Sequence, residues 1–337
     1  MIENASGLHG SQVQSTPLPQ KTRAYLHHHL DSSRWDRFKP RDSDIIITAS
    51  YKAGTTWLQR IVSLLVFQST ELQAPLNRYS PWIDARFYGR LGPILNGIEA
   101  QKHRRFLKSH LAFDGLPYWP QVKYIMIARD TRDVFMSLCN HYAGYTEAMY
   151  EVLNPPNRTW AEFPRWSDDV PGLWRQWMTR GWFEWETEGW PWWSHHHHAR
   201  TYWHFRSLPN LLLVHFNDLT VDLDAEMRRI AAFLGIPVDE EIWPSLVEAA
   251  TFRSMKANAA KTHGDIDFAF KGGADSFIFK GTNERWRAVL SPEDLQLYEA
   301  AAAKLDPELR GWLENGRAAF AANETQAGYR SDAKAVR

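Results

Sequence analysis

The sequence reads as an α/β protein with a mostly parallel central sheet flanked by helices. Three observations say so. Short apolar runs, rich in Ile, Leu and Val, occur at 45–47, 123–129 and 210–216, bounded by polar or turn-forming residues, as buried strands are. Each is followed by residues whose apolar positions return at helical spacing. Strand-like and helix-like segments alternate as far as Gly235, which is the pattern of parallel strands joined by helical crossovers.

In chain order, residues 1–20 are rich in Ser, Gln, Pro and Gly and read as a mobile tail. Residues 21–320 read as one domain, and 321–337 as a second, polar and Ala-rich tail. A turn at 40–44 leads into the first strand. The small and polar residues 49–54 follow, then Trp57, Leu58, Ile61, Val62, Leu64 and Leu65 at helical spacing. A strand, tight loop and helix in this order aim backbone N–H groups and the positive helix end at one point. Lys52 adds a charge there, Ala53 and Gly54 complete the turn, and Thr55 and Thr56 add hydroxyls. The site suits an anion, a phosphate above all. It is not the nucleoside-triphosphate loop GxxxxGK[ST], because Lys52 precedes Gly54 by two residues and Thr55 takes the Lys place.

Residues 76–92 form a loop punctuated by Pro and Gly and carrying large aromatics. Such loops border pockets, and Trp82 is a candidate wall, with simple packing under the loop as the alternative. A second strand at 105–110 ends in Lys108-Ser109-His110. A histidine where a strand end faces an anion loop is placed for chemistry; the bland reading is a satisfied surface histidine. Phe113, just beyond, is a further candidate for the pocket. The third strand ends at Arg129, a planar fork for phosphate, and Asp130 caps the helix that follows, with Ser137 one turn beyond Asp133. Residues 151–206 are crowded with tryptophan (Trp174, Trp177, Trp182, Trp185, Trp190, Trp192, Trp193) and read as a lid or pocket wall, or else as helical core. The tracts His27–His29 and His195–His198 could hold a metal by composition. On a helix, however, consecutive histidines spread around the axis, and no Cys or carboxylate completes a ligand spacing, so no metal is expected. After the fourth strand an amphipathic helix ends at Gly235, and Ser291-Pro292-Glu293-Asp294 opens another.

Composition bounds the function. With 337 residues, 44% of them hydrophobic, the chain can bury a sizeable core. Its formal net charge of zero argues against bulk nucleic-acid or polybasic membrane binding, so an anion site must be local. Cys139 is the one cysteine, which excludes an intrachain disulfide and fits a reducing compartment. The first forty residues hold no long apolar run, so neither a signal peptide nor a membrane span is expected, and the expected location is cytoplasmic.

The order Lys52-Ala53-Gly54-Thr55-Thr56-Trp57 resembles the 5′-phosphosulfate loop of the soluble, cytosolic-type sulfotransferases that use 3′-phosphoadenosine-5′-phosphosulfate (PAPS). KSHLAFDGLP resembles the family's KTHLP. Arg129, Arg132, Asp133, Val134 and Ser137 keep the register of its 3′-phosphate motif, and Lys280-Gly281 with Trp286 resembles its closing loop. The resemblance runs from about residue 31 to 313. It implies the P-loop-like sulfotransferase fold and transfer of a sulfuryl group from PAPS to a hydroxyl or amine of an apolar or aromatic small molecule, releasing the desulfated cofactor PAP. It implies His110 as general base, with Lys52 and Lys108 at the transferring group. Loop residues 52–56 would hold the 5′-phosphate and Arg129, Ser137, Lys280 and Gly281 the 3′-phosphate, while Trp57, Phe216, Thr251 and Phe252 would lie against adenine. No metal, nucleic acid or membrane is required, and oligomeric state stays open. Two departures stand out: Phe216 replaces a Tyr, and Phe279 stands where the family has the Arg that grips the 3′-phosphate, a loss that Lys280, Arg285 or Arg253 could offset. The alternatives are a nucleotide-binding protein with impaired catalysis and, further off, an ATP-using kinase. The latter needs a Lys beside Gly54 and an acidic Mg²⁺ ligand at a strand end, where Thr55 and Arg129 stand.

Overall fold

The computed structural model describes residues 17–264 and 266–320. The expected tails therefore lie outside the described residues, except for 17–20. Four strands form the sheet: β1 (Ile45–Thr48), β2 (Phe106–Ser109), β3 (Lys123–Ala128) and β4 (Leu211–His215), in the order β2-β1-β3-β4. Every pairing is parallel. Ile45 lies opposite both Phe106 and Lys123, and Ala128 opposite His215. All four residues of β1 are buried, because helices and loops cover both faces, which is why the strands are continuous apolar runs.

Parallel strands end on one edge. The segments that leave β1, β2, β3 and β4 there begin with the 49–54 loop, His110, Arg129 and Phe216. The sequence extends the second to fourth strands by a residue or two relative to the structure. Of the residues so excluded, His110, Arg129 and Phe216 are the ones that turn out of the ladder into the site.

The helix Thr55–Phe67 buries Leu58, Ile61, Val62, Leu64 and Leu65. Its N-cap, Gly54, offers no side-chain hydrogen bond, so the first N–H groups of the helix are left for a ligand. Asp130 caps Thr131–Ala143 by accepting from the Arg132 N–H. Leu223–Leu234 ends at Gly235 in the left-handed region, φ 65°, and Pro292–Ala302 opens with a full capping box between Ser291 and Asp294.

The Trp-rich stretch divides between its two readings. It holds the helix Val170–Thr179. Trp174 and Trp177 are core residues whose indole N–H groups reach the Asp294 carbonyl (2.8 Å) and the Tyr51 hydroxyl (2.9 Å). Trp192 and Trp193 instead line a cavity.

The tract His195–His198 opens the helix His195–Trp203. Its rings do fan out around the axis, yet all four are buried. His195 bridges the Ser50 hydroxyl (2.6 Å) and the Arg129 carbonyl (3.0 Å). His196 meets Thr131 (3.1 Å), His197 meets Asp114 (2.9 Å) and His198 meets Thr48 (3.0 Å). This tract is a structural brace for the C-terminal edge of the sheet. The other tract is not helical, and its three rings come together with ligand-capable atoms within 4.8 Å of one another. His28 Nε2 is bonded to the Pro191 carbonyl (2.7 Å), His29 Nε2 to the Tyr145 hydroxyl (3.2 Å), and His27 Nδ1 accepts the His29 N–H (3.0 Å). Among the described residues no carboxylate joins the cluster, and Arg86 adds positive potential to it, which disfavours a divalent cation there. Among the described residues no helix is long and apolar enough to cross a membrane.

Candidate active site

A cavity of about 600 Å³ opens at the strand edge, walled on one side by the 49–54 loop. The loop reaches it through two positive-φ residues, Lys52 (φ 46°) and Gly54 (φ 113°). Glycine is required at 54: a Cβ there would stand 2.9 Å from Ile127 Cδ1 and 3.1 Å from Phe216. Thr55 presents a buried hydroxyl with no partner among the described residues, beside the uncapped start of its helix. A hydroxyl donor and free N–H groups facing a cavity form a cradle for an anion. Ala53 is fully buried behind the loop and is absent from the wall, so only its backbone serves the turn.

The end of β2 carries the groups suited to proton transfer. His110 is buried, and its Nδ1 is 2.6 Å from the Ala49 carbonyl, which fixes the proton on Nδ1 and leaves Nε2 as a free acceptor. Burial, and then the charge of Lys108, hold its pKa well below the ordinary imidazole value, so the ring is neutral. The Trp82 ring meets it edge-on at 4.6 Å and also lies under the Lys108 ammonium at 4.5 Å. Trp82 is therefore a wall of the cavity and the packing partner of both basic groups. Behind them sits Asp84, fully buried, which accepts from the Trp35 indole (2.8 Å), the Trp82 indole (2.7 Å) and the His110 backbone N–H (3.0 Å). Asp84 is not legible as a site residue from the sequence alone. Its one local signal is its place two residues after Trp82, while the histidine it orients is 26 positions away.

Lys52 projects between these groups and the phosphate cradle. Its Nζ is 3.3 Å from His141 Nδ1 and 4.5 Å from the centre of the Phe277 ring, and among the described residues no carboxylate lies in salt-bridge range. Burial, then the charges of Lys108 and Arg129, lower its pKa to about 7, and burial lowers Lys108 to about 8. Lys52, Lys108 and Arg129, none in a salt bridge among the described residues, share one cavity and make a site that an anion stabilises. His141, a second functional residue the sequence did not flag, is held neutral by burial and receives Lys52.

Arg129 lies flat over the Phe216 ring at 4.0 Å and forks to the Asn283 side chain (2.9 and 2.6 Å) and the Thr282 carbonyl (2.9 Å). The phenyl group at 216 thus works as a shelf for the guanidinium, and it meets Trp57 edge-on at 5.1 Å. Trp57 is fixed by an indole bond to the Ala250 carbonyl (2.8 Å). Ser137, Thr251, Phe252, Lys280 and Gly281 line the same cavity, and Gly281 packs so closely over Phe252 that a Cβ would fall 2.4 Å from its ring. Arg253 points away and is paired with Glu248 in solvent.

Two expectations need correcting. Phe113 is not on the wall: it is 1% exposed and stacks on Tyr202 at 4.5 Å and 10°, as its apolar neighbours in the core dictate. The wall opposite β2 comes largely from residues 266–282, with Trp192 and Trp193 the main contribution of the 151–206 stretch. That segment is stitched to the end of the helix Thr131–Ala143 by the Lys271 N–H to the Gly144 carbonyl (2.8 Å) and the Thr146 N–H to the Ala269 carbonyl (3.2 Å).

Comparison with known proteins bears on the family and the fold. The family model described as "Sulfotransferase domain" matches residues 42–306. A glycolipid sulfotransferase of Mycobacterium bovis is 30% identical over 316 residues, 86% of this chain and 93% of that protein. Sulfotransferase 1C2 of Homo sapiens is 25% identical, over 76% of this chain and 80% of its own. Among solved structures, mouse sulfotransferase SULT7A1 complexed with PAP superposes with a TM-score of 0.63 at 19% identity, over 85% of this chain and 93% of that one, a likeness of fold.

Proposed function

Because the chain belongs to the sulfotransferase domain family, we propose that it moves a sulfuryl group from PAPS to a hydroxyl or amine of an apolar or aromatic small molecule, releasing PAP. The observation that carries this reading is the meeting of a neutral His110 with a free Nε2, an unpaired Lys52 and a phosphate cradle in one cavity.

The chemistry follows from those groups. The uncapped helix start and the Thr55 and Thr56 hydroxyls hold the 5′-phosphate, and Arg129 with Ser137 meets the 3′-phosphate. Adenine lies against Trp57 and Phe216, bordered by Thr251 and Phe252. His110 Nε2 takes the proton from the acceptor as its oxygen attacks sulfur. The bond between sulfur and the bridging oxygen breaks with its electron pair moving to the 5′-phosphate. Lys52, a strong donor once a phosphate raises its pKa again, neutralises charge on that oxygen, and Lys108 faces the transferring group. Trp82, Phe87, Trp193 and Phe270 give the acceptor an apolar, aromatic bed. The relative named as a glycolipid sulfotransferase makes a lipid-linked alcohol one arm of the acceptor panel. Cys139 is buried with its thiol pushed up to about 12 by burial, so it takes no part in this chemistry.

The test is calorimetric titration with PAP and with ATP, followed by turnover of radiolabelled PAPS on phenols, aliphatic alcohols and glycolipids. Binding of PAP well ahead of ATP, with label transfer to at least one acceptor class, is expected. Equal binding of ATP and PAP with no transfer overturns the proposal.

A further inference from the structure

Arg285 is a cation with no salt-bridge partner among the described residues. It opens the short 3₁₀ turn Arg285–Ala288, and that turn is anchored on the helix that carries Ser137. The Glu284 N–H donates to Asp133 (2.6 Å), and the Trp286 ring lies beneath Arg132 at 4.3 Å. Anchored so, the Arg285 side chain lines the cavity together with Arg129, Ser137, Lys280 and Gly281. Its Nε is buried and has no hydrogen-bond partner, and among the described residues no carboxylate lies within salt-bridge distance of it. Asp133, the nearest acid on that helix to act on it, is engaged by the Glu284 N–H. A guanidinium N–H buried without an acceptor is costly unless a ligand supplies one.

Phe279 explains how the group is held. Its ring carries Arg285 at 5.2 Å and Lys280 at 5.3 Å, so one half-exposed phenyl group steadies two cations. On the other side of the same patch, Arg129 rests on the Phe216 ring at 4.0 Å. Two guanidinium groups, each laid on an aromatic face, thus border the Ser137 part of the cavity, and burial depresses the pKa of both. Paired forks of this kind suit a doubly charged, tetrahedral oxyanion.

We propose that Arg285 is the second guanidinium for the 3′-phosphate of the donor, and that Phe279 is its shelf and not a gap in the site. The inference rests on the PAPS reading above. It makes Arg285 a specificity-determining residue: it distinguishes PAP from adenosine 5′-phosphate, which has the same nucleoside and 5′-phosphate and lacks the 3′ group.

The experiment titrates PAP and adenosine 5′-phosphate into the full chain and into the variants Arg285→Ala, Arg285→Gln and Arg253→Ala, with circular dichroism melts as the check on folding. Loss of one charge-assisted contact predicts a roughly ten- to hundredfold weaker Kd for PAP in either Arg285 variant. The Kd for adenosine 5′-phosphate should stay within about twofold, so that the preference for PAP shrinks by the full factor. Arg253→Ala, an exposed residue paired with Glu248, should change neither. A preference for PAP unchanged in folded Arg285 variants overturns this inference alone. Failure of the wild-type chain to bind PAP overturns it together with the reading it rests on.

Discussion

Replacing His110 with alanine tests the centre of the proposed chemistry. The Nδ1 proton is committed to the Ala49 carbonyl at 2.6 Å, so Nε2 is the only atom on the ring that can accept a proton. Deleting a general base costs about 10² to 10⁴ in rate, or about 2.7–5.5 kcal/mol of barrier. The structure also fixes the pH dependence. Free His110 titrates well below its ordinary value, so kcat/KM should rise through an acid limb well under pH 6.5. Lys52 must be protonated and has a pKa of about 7 in the free protein, so the other limb should fall near neutrality. Initial rates with radiolabelled PAPS from pH 4.5 to 9, for wild type and variant, measure both. The alanine variant should lose the acid limb and keep the alkaline one, while its Kd for PAP stays within about threefold. A fall in kcat of less than about tenfold, or an acid limb that survives in the variant, refutes the assignment.

Other expectations follow from the same geometry. Asp84→Asn replaces one of two accepting oxygens with a donor facing an indole N–H; it should cost ~1–3 kcal/mol of stability in denaturant melts and lower kcat more than it weakens PAP binding. PAP binding should take up protons near pH 8, because the phosphates raise Lys52 and Lys108 from about 7 and about 8, so affinity falls as pH rises through that window. Calorimetry at pH 8 in buffers of different ionisation enthalpy reads the uptake directly, and none would contradict the assignment of these lysines. Gly54→Ala, strained at φ 113° and 2.9 Å from Ile127 Cδ1, should lose ~1–3 kcal/mol in thermal melts and weaken PAP further than it lowers stability.

Much of this was legible in the sequence because it is local. β1, the loop and the helix Thr55–Phe67 are one contiguous segment whose periodicity changes at the loop, and Lys108 and His110 lie at the tip of an apolar run. Residues that act through distant partners left no such mark. Asp84 matters because Trp35 and His110 come to it from 49 and 26 positions away. His141 looks like any polar residue of its helix until the Lys52 ammonium, 89 positions earlier, reaches it. Phe113 misled for the complementary reason: its nearness to His110 in sequence says nothing of which way its ring turns, and the face of Tyr202 decided that. The tract 195–198 is helical, with its rings spread around the axis as expected, but composition carries no sign that each imidazole is buried and bonded to a different part of the fold.

That row of four imidazoles acts as a keystone. One ring touches both the loop assigned above to the 5′-phosphate and the strand end assigned to the 3′-phosphate, through Ser50 and the Arg129 carbonyl. On that assignment the span between the two grips is set by a side chain that does not line the cavity. Drift or damage at position 195 should register as a mis-sized clamp, with affinity for each phosphate alone largely kept and the gain from binding both at once lost.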